Sequence, residues 1–300
     1  MNPVAIFGFK RADHLEQTLN AILRHDGYSN RQYYIFLDNY KKKSDRVNVE
    51  EVRLMVESHP LKNKTIIARP RNLGLKDNIK SGLDFVLSTY DTVIVLEDDI
   101  VVGPLFFRYM DTCLESFAYD NSVFHINGWQ YPVNLEEKLY FSSIMNCWGW
   151  ATWRNRWVKY DDNYESYVDN WSFWKKIKFD LYFSGLFWNQ IRLNKLGTLN
   201  TWAIFWFATI YENKGSCVSP HSSLVENIGF DSSGEHSKDV KNVYTRKLKT
   251  KQVDYKFITK PNDDFYFLKV RCFYIFNKNP KVFFKNILTN IYSIRTYFNI

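Results

Sequence analysis

Three acidic side chains stand together at Glu97-Asp98-Asp99, directly behind the apolar run Val93-Ile94-Val95-Leu96. Adjacent carboxylates repel one another unless something cationic neutralises them, and a hard divalent ion with oxygen ligands does so. In isolation the triplet would be a solvated acidic turn. At the end of a buried strand in a doubly wound sheet it reads instead as a metal and nucleotide site. A second cluster is aromatic: Trp148, Trp150, Trp153 and Trp157, with Gly149 opening space between the first two. Trp153 and Trp157 are four apart, the spacing of one helix face, where indoles are more often core than ligand platform.

The elements that must position these residues follow from hydrophobic periodicity. Short apolar runs at 3–9 (PVAIFGF), 33–38 (YYIFLD), 65–69 (TIIAR), 92–97 (TVIVLE) and 123–128 (VFHING) read as strands. Between them apolar residues recur at helical spacing: Leu15, Leu19, Ile22 and Leu23; Val49, Val52 and Val56; Ile79, Leu83, Val86 and Leu87; then a segment from about Pro104. Asp13 and Glu16 suit a capping box at the start of the first helix. Strands alternating with helices predict an α/β fold built on a doubly wound, mostly parallel, Rossmann-like sheet covered on both faces. Such sheets bind ligands beyond the carboxyl ends of their strands. The loops at Lys10-Arg11, Asp38, Arg71-Asn72 and Glu97–Asp99 should then gather on one edge. Past residue 128 the pattern becomes Trp-rich and mostly helical, with no clear strand period.

Charge is concentrated at one end. Residues 241–300 hold 13 Lys and Arg against three Asp, a net +10, while the whole chain carries +8, so residues 1–240 carry −2. Cys113, Cys147, Cys217 and Cys272 are scattered without a C-x-x-C pair, which suits reduced thiols better than a zinc site or a disulfide framework. No basic leader precedes the first apolar run, and the longest uncharged stretch, Leu196 to Tyr211, is interrupted by Gly197 and Asn200. A cytoplasmic chain without a spanning helix is expected. Aromatic residues make up 18% of the chain, enough for rings that pack on sugars or for an aromatic-rich core.

The segment VIVLEDDIVVGPLFFRYM resembles the metal-binding segment of nucleotide-sugar glycosyltransferases with the GT-A fold, especially family 2 and the N-acetylglucosaminyltransferase I group. The likeness runs from Pro3 to about His236 through PVAIFGFKRADHL, RPRNLGLKDNIKSGL, INGWQYP, CWGWATWRNRW and SLVENIGFDSSGEH, in family order. It implies a GT-A catalytic domain over 1–240, with a nucleotide-sugar half at 1–130 and an acceptor half at 131–240. It further implies that Asp99 is the protein ligand of Mn²⁺ or Mg²⁺, with Asp98 near the ribose or metal-bound water and Glu97 near the donor sugar. Asp38 would accept from the nucleotide base and Arg11 would contact the same nucleotide. Arg71, Asn72, Gly74 and Lys76 would line the donor pocket, with Lys76 on phosphate, and Trp148, Gly149, Trp150 and Trp202 would border the donor sugar and acceptor. Asp38 also reads as a turn or cap residue, and Lys76 as a solvated helix start.

Many members of that family place an Asp directly after the Trp of the segment equivalent to Asn200-Thr201-Trp202; here the position is Ala203, which cannot take a proton. Asp231 is the first candidate for the missing base, with an Asx-type turn acid as its plain alternative, and His236 is a candidate for the metal shell or diphosphate. The basic aromatic tail, 241–300, suits a segment lying on an anionic membrane surface or a helix packed on the domain. Nucleic acid is not an expected partner. The implied activity is inverting, hexosyl-type transfer, from a UDP-sugar in first place, to a glycan or polyprenyl-diphosphate-linked acceptor. O-antigen or capsule assembly at the inner face of the membrane is the expected setting. The alternative is a non-catalytic glycan or lipid-carrier binding protein that keeps the fold.

Overall fold

Strands β1 (Val4–Gly8), β2 (Tyr33–Leu37), β3 (Lys64–Ala68) and β4 (Thr92–Glu97) form in the expected runs, separated by helices α1 (Ala12–Leu23), α2 (Arg46–Ser58) and α3 (Gly74–Thr89). The structure is a computed structural model and describes residues 1–136, 139–182, 184–231 and 263–277. The first four strands are parallel, and β1 lies between β2 and β4, with Phe7 opposite Glu97. β1 is buried along its whole length, which is why its run lacks polar alternation. Val4, Ile6, Ile94 and Leu96 enter one core with Leu15, Leu19 and Ile22 of α1, whereas Ala5, Phe7, Val93 and Val95 enter a second core with Ile79, Leu83 and Val86 of α3. The sheet is therefore covered on both faces, as expected.

β5 (Ile100–Val102), α4 (Phe106–Ser116) and β6 (Val123–Asn127) follow. Beyond them the structure departs from the helical expectation. β7 (Tyr140–Ser142) and β8 (Trp150–Trp153) precede short helices α5 (Arg154–Trp157), α6 (Tyr164–Val168), α7 (Phe173–Phe179) and α8 (Trp188–Lys195), then α9 (Ala203–Glu212), β9 (Ser216–Ser219) and β10 (Val225–Asn227). Among the described residues the main sheet has eight strands in the order β3-β2-β1-β4-β8-β6-β9-β7, with β8 antiparallel to both neighbours and β7 antiparallel to β9. Trp153 thus ends a strand and does not share a helix face with Trp157. β10 pairs antiparallel with β5, placing Asn227 opposite Ile100. Asp13 makes no cap: α1 starts from Arg11, whose carbonyl accepts the Leu15 N–H at 3.1 Å.

Of the basic tail, helix α10 (Asp263–Asn277) is described. Tyr266, Val270 and Phe273 are buried against the domain, and the Tyr266 hydroxyl donates to Gln130 Oε1 at 2.7 Å. Among the described residues no helix is long and apolar enough to cross a membrane.

Candidate functional site

The carboxyl ends of β1 to β4 lie at one edge of the sheet, because these strands are parallel and in register. The period of two along β4 sends Glu97 to the same face as Val95, toward Trp150 of β8, and turns Asp98 toward α1. Arg11, at the end of the β1 loop, meets both following acids. Its Nε donates to Asp98 Oδ2 at 3.2 Å and its Nη2 donates to Asp99 Oδ2 at 2.8 Å; Nη2 also bonds Asp98 Oδ1. Arg11 is thus engaged in an ion pair within the acid loop. Thr18, two turns along α1, donates from its hydroxyl to the Asp98 carbonyl at 2.9 Å.

The electrostatics follow from this packing. Burial alone would depress the Arg11 pKa, but Asp98 and Asp99 outweigh it and raise the value above the ordinary arginine range. Glu97 is pushed up to about 8, first by burial and then by repulsion from Asp99 and Asp98. Asp98 is pushed up to about 6 by burial, against the pull of Arg11. The same field reaches the neighbouring block: the Cys147 thiol is raised by burial and next by Glu97.

A strap closes over the acids. After β10, the Ile228 N–H donates to the Asp99 carbonyl at 2.9 Å. At Gly229 an added Cβ would lie 2.2 Å from Asp99 Oδ2 and 3.0 Å from Arg11 Nη1, so any larger residue would displace these side chains or lift the strap. Phe230 meets Trp148 edge to face at 5.4 Å. Asp231, about half exposed, lies with Oδ2 3.1 Å from His14 Nε2 on α1. The structure therefore brings together Arg11, Glu97, Asp98, Asp99, Trp148 and Asp231. It adds His14, Thr18 and Gly229, which the sequence reading passed over. Their signals were present: residues 11, 14 and 18 share one helix face, and Gly229 sits inside SLVENIGFDSSGEH.

Other expected site residues serve elsewhere. Asp38 is buried and accepts from the backbone N–H groups of Asn39 (2.9 Å), Leu73 (2.8 Å) and Gly74 (2.9 Å) and from Asn72 Nδ2 (3.1 Å). Four donors fill the acceptor capacity of a carboxylate. Asp38 is thus the cap that joins the β2 loop to the start of α3, with Asn72 as its partner, and is not offered to a nucleotide base. Arg71 is exposed on the same loop. Lys76 is paired with Asp162 at 2.7 Å and lies 5.0 Å from the Phe205 ring centroid, so its ammonium is engaged by the α6 and α9 side of the molecule. Trp150 and Trp202 stack at 5.2 Å, are both buried, and Trp150 also stacks on His125 at 5.0 Å. They are core, not sugar platform. Gly149, at φ +60°, turns the chain into β8 and faces Val225 and Phe106. His236 lies outside the described residues.

Asp99 retains one oxygen, Oδ1, with no hydrogen-bond partner among the described residues. Among the described residues no three His, Cys, Asp or Glu side chains are grouped as a metal cage. Such a donor set suits an ion that takes one or two carboxylate oxygens and completes its shell from substrate phosphates and water, as magnesium-type sites do.

No family model matches the chain. In sequence it is 24% identical over 184 residues to the alpha-1,3-mannosyl-glycoprotein 2-beta-N-acetylglucosaminyltransferase of Arabidopsis thaliana, across 56% of this chain and 41% of that protein. The chain thus spans less than half the length of this relative. Among solved structures it is similar to the mannosyltransferase PcManGT from Pyrobaculum calidifontis in complex with GDP-Man and Mn²⁺, with a TM-score of 0.41 and 11% identity over 71% of this chain and 70% of that one. Residues 1–349 of TarS from S. aureus are similar over 75% of this chain and 59% of theirs, with a TM-score of 0.44 and 9% identity.

Proposed function

We propose that this chain is a metal-dependent glycosyltransferase of the GT-A type, transferring a sugar with inversion from a nucleotide diphosphate donor, a UDP-sugar in first place. The observation that carries the reading is the acid loop at the carboxyl end of β4. Three carboxylates lie at the ligand-binding edge of a doubly wound sheet, one arginine between them and a glycine-bearing strap above. The sequence likeness to an N-acetylglucosaminyltransferase supports the same class. Asp99 would hold Mn²⁺ or Mg²⁺, with Asp98 near the ribose or a metal-bound water; the ion when bound neutralises the charge that develops on the departing nucleoside diphosphate. Arg11 supplies a fixed positive charge beside the same position. Trp148 and Phe230 wall one side of the site with apolar rings suited to a sugar face. Asp231 takes the acceptor hydroxyl proton as that oxygen attacks the anomeric carbon. We further read the acceptor as a glycan or polyprenyl-diphosphate-linked sugar of O-antigen or capsule type, met at the cytoplasmic membrane face with help from the basic tail.

The test is a screen of nucleotide sugars for donor hydrolysis with Mn²⁺ and with chelator, on the natural protein and Asp99→Asn. Asp99→Asn should abolish turnover with the fold intact; full activity in that variant, or in excess chelator, rejects the metal assignment. One observation favours a second reading, a non-catalytic binding protein of this fold: Ala203, not a carboxylate, opens α9 after Trp202. Nucleotide-sugar binding without hydrolysis or transfer for every donor would establish that reading instead.

A further inference from the structure

The first two turns of α1 meet the acid site with three polar side chains on one face, and each has its own target. Arg11 takes the carboxylates of Asp98 and Asp99, and Thr18 holds the Asp98 carbonyl at 2.9 Å. His14, between them, reaches the strap: its Nε2 lies 3.1 Å from Asp231 Oδ2, with 14% of the His14 side chain exposed against 47% for Asp231. The imidazole therefore sits anchored in a regular helix, while the carboxylate it touches sits in an irregular turn beyond β10. Upstream of Asp231 the strap is fastened to the acid loop by the Ile228 N–H and by the close passage of Gly229 over Asp99 and Arg11.

We infer that His14 is the positioning residue for Asp231, fixing that carboxylate and the end of the strap at a set distance from the acid loop. The inference rests on the reading of Asp231 as proton acceptor. A half-exposed carboxylate samples several rotamers, and a proton acceptor must lie within hydrogen-bond reach of the hydroxyl it serves. A contact from a rigid helix removes most of that freedom. With Nε2 protonated the imidazole donates to Oδ2 and holds the carboxylate facing α1.

The test compares His14→Ala, His14→Gln and Asp231→Asn by hydrogen exchange and by transfer kinetics. In His14→Ala the Ile228 and Gly229 amides should exchange about tenfold faster while the thermal midpoint stays within a few degrees. Turnover should fall about tenfold with the donor KM little changed. The glutamine side chain carries an N–H that can reach the same carboxylate, so His14→Gln should recover most of both losses. Natural exchange and natural turnover in His14→Ala, alongside inactive Asp231→Asn, overturn the inference and leave the proton-acceptor reading standing. A rise in donor KM without a fall in kcat also overturns it, because that assigns His14 to donor binding. Natural turnover in Asp231→Asn removes the proton-acceptor reading itself, and the exchange rates of the strap in His14→Ala then decide alone whether His14 positions it.

Discussion

Replacing Arg11 by Met keeps much of the side-chain stem and removes the charge that bridges Asp98 and Asp99. Removing one partner from a buried ion pair costs roughly 3–5 kcal/mol. The low end applies here, about 3 kcal/mol, because the Arg11 side chain is 18% exposed and the carboxylates can escape part of the repulsion by taking up protons. At roughly 2–4 °C per kcal/mol for chains somewhat smaller than this one, the thermal midpoint should fall by about 6–12 °C near pH 8. Loss of the guanidinium raises the folded-state pKa values of Glu97 and Asp98 further above their unfolded values. The penalty is therefore largest at high pH and fades as the pH falls toward 4 and the carboxylates protonate. If a divalent ion binds these carboxylates it replaces the missing charge, and at a hundredfold excess over its Kd it returns about 2.7 kcal/mol. Thermal scans of both proteins across pH, with chelator and with excess Mn²⁺, read all of this. The natural protein should gain less from Mn²⁺ than the variant, because the ion competes with Arg11 for Asp99. An unchanged midpoint at pH 8 refutes Arg11 as the counter-charge, and equal Mn²⁺ shifts in the two proteins refute the competition.

Two further outcomes follow from the same geometry. Gly229→Ala puts a methyl group 2.2 Å from Asp99 Oδ2, so either the strap lifts or the Arg11 to Asp99 bond breaks. A loss of roughly 1–3 kcal/mol in stability and weaker donor binding by calorimetry are expected, and natural values of both would show that the strap does not press on the acids. In chelator, the Glu97 carboxyl, with a folded pKa near 8 against 4.5 unfolded, holds its proton in the folded state. Its contribution is fully present below pH 4.5 and is lost as the pH rises through 8; Glu97→Gln should flatten that part of the stability curve, and parallel curves for the two proteins would remove Glu97 as its source.

The first half of the fold was legible because three of its strands, β1, β2 and β4, are buried on both faces. PVAIFGF and TVIVLE have no polar alternation to explain, and the helices between them keep a clean apolar stripe. The second half was not, and β8 shows why. Trp150-Ala151-Thr152-Trp153 is short and has no period of its own; it becomes a strand by pairing with β4 on one side and β6 on the other, Val95 opposite Trp150 and Ile126 opposite Ala151. That pairing is tertiary information. The indoles misled for a related reason. Ring type says that Trp150 and Trp202 want apolar surroundings, but whether the ring opposite is a sugar or a second indole depends on where β8 and α9 meet.

At the site itself, three adjacent carboxylates announce that a cation must be near, and this much is a property of the residues alone. Two kinds of cation meet the need: an ion bound from outside, or a guanidinium supplied by the chain. Arg11 was recognised as a site residue yet directed to a nucleotide, since nothing in the order of residues shows that the β1 loop folds back onto the β4 loop. Their meeting depends on β1 and β4 being neighbours in register, Phe7 beside Glu97. Once they are, Arg11 lies within reach of Asp98 and Asp99, and part of the repulsion that marked the site is offset within the chain. Asp38 went the opposite way. The same kind of carboxylate, at the end of the next strand, found three donors at the start of α3 and a fourth in the Asn39 N–H beside it, and became a cap. What separates the two is the supply of local N–H groups: a lone acid facing a helix start is satisfied by backbone, whereas three acids in a row outnumber the donors around them and keep a demand for positive charge.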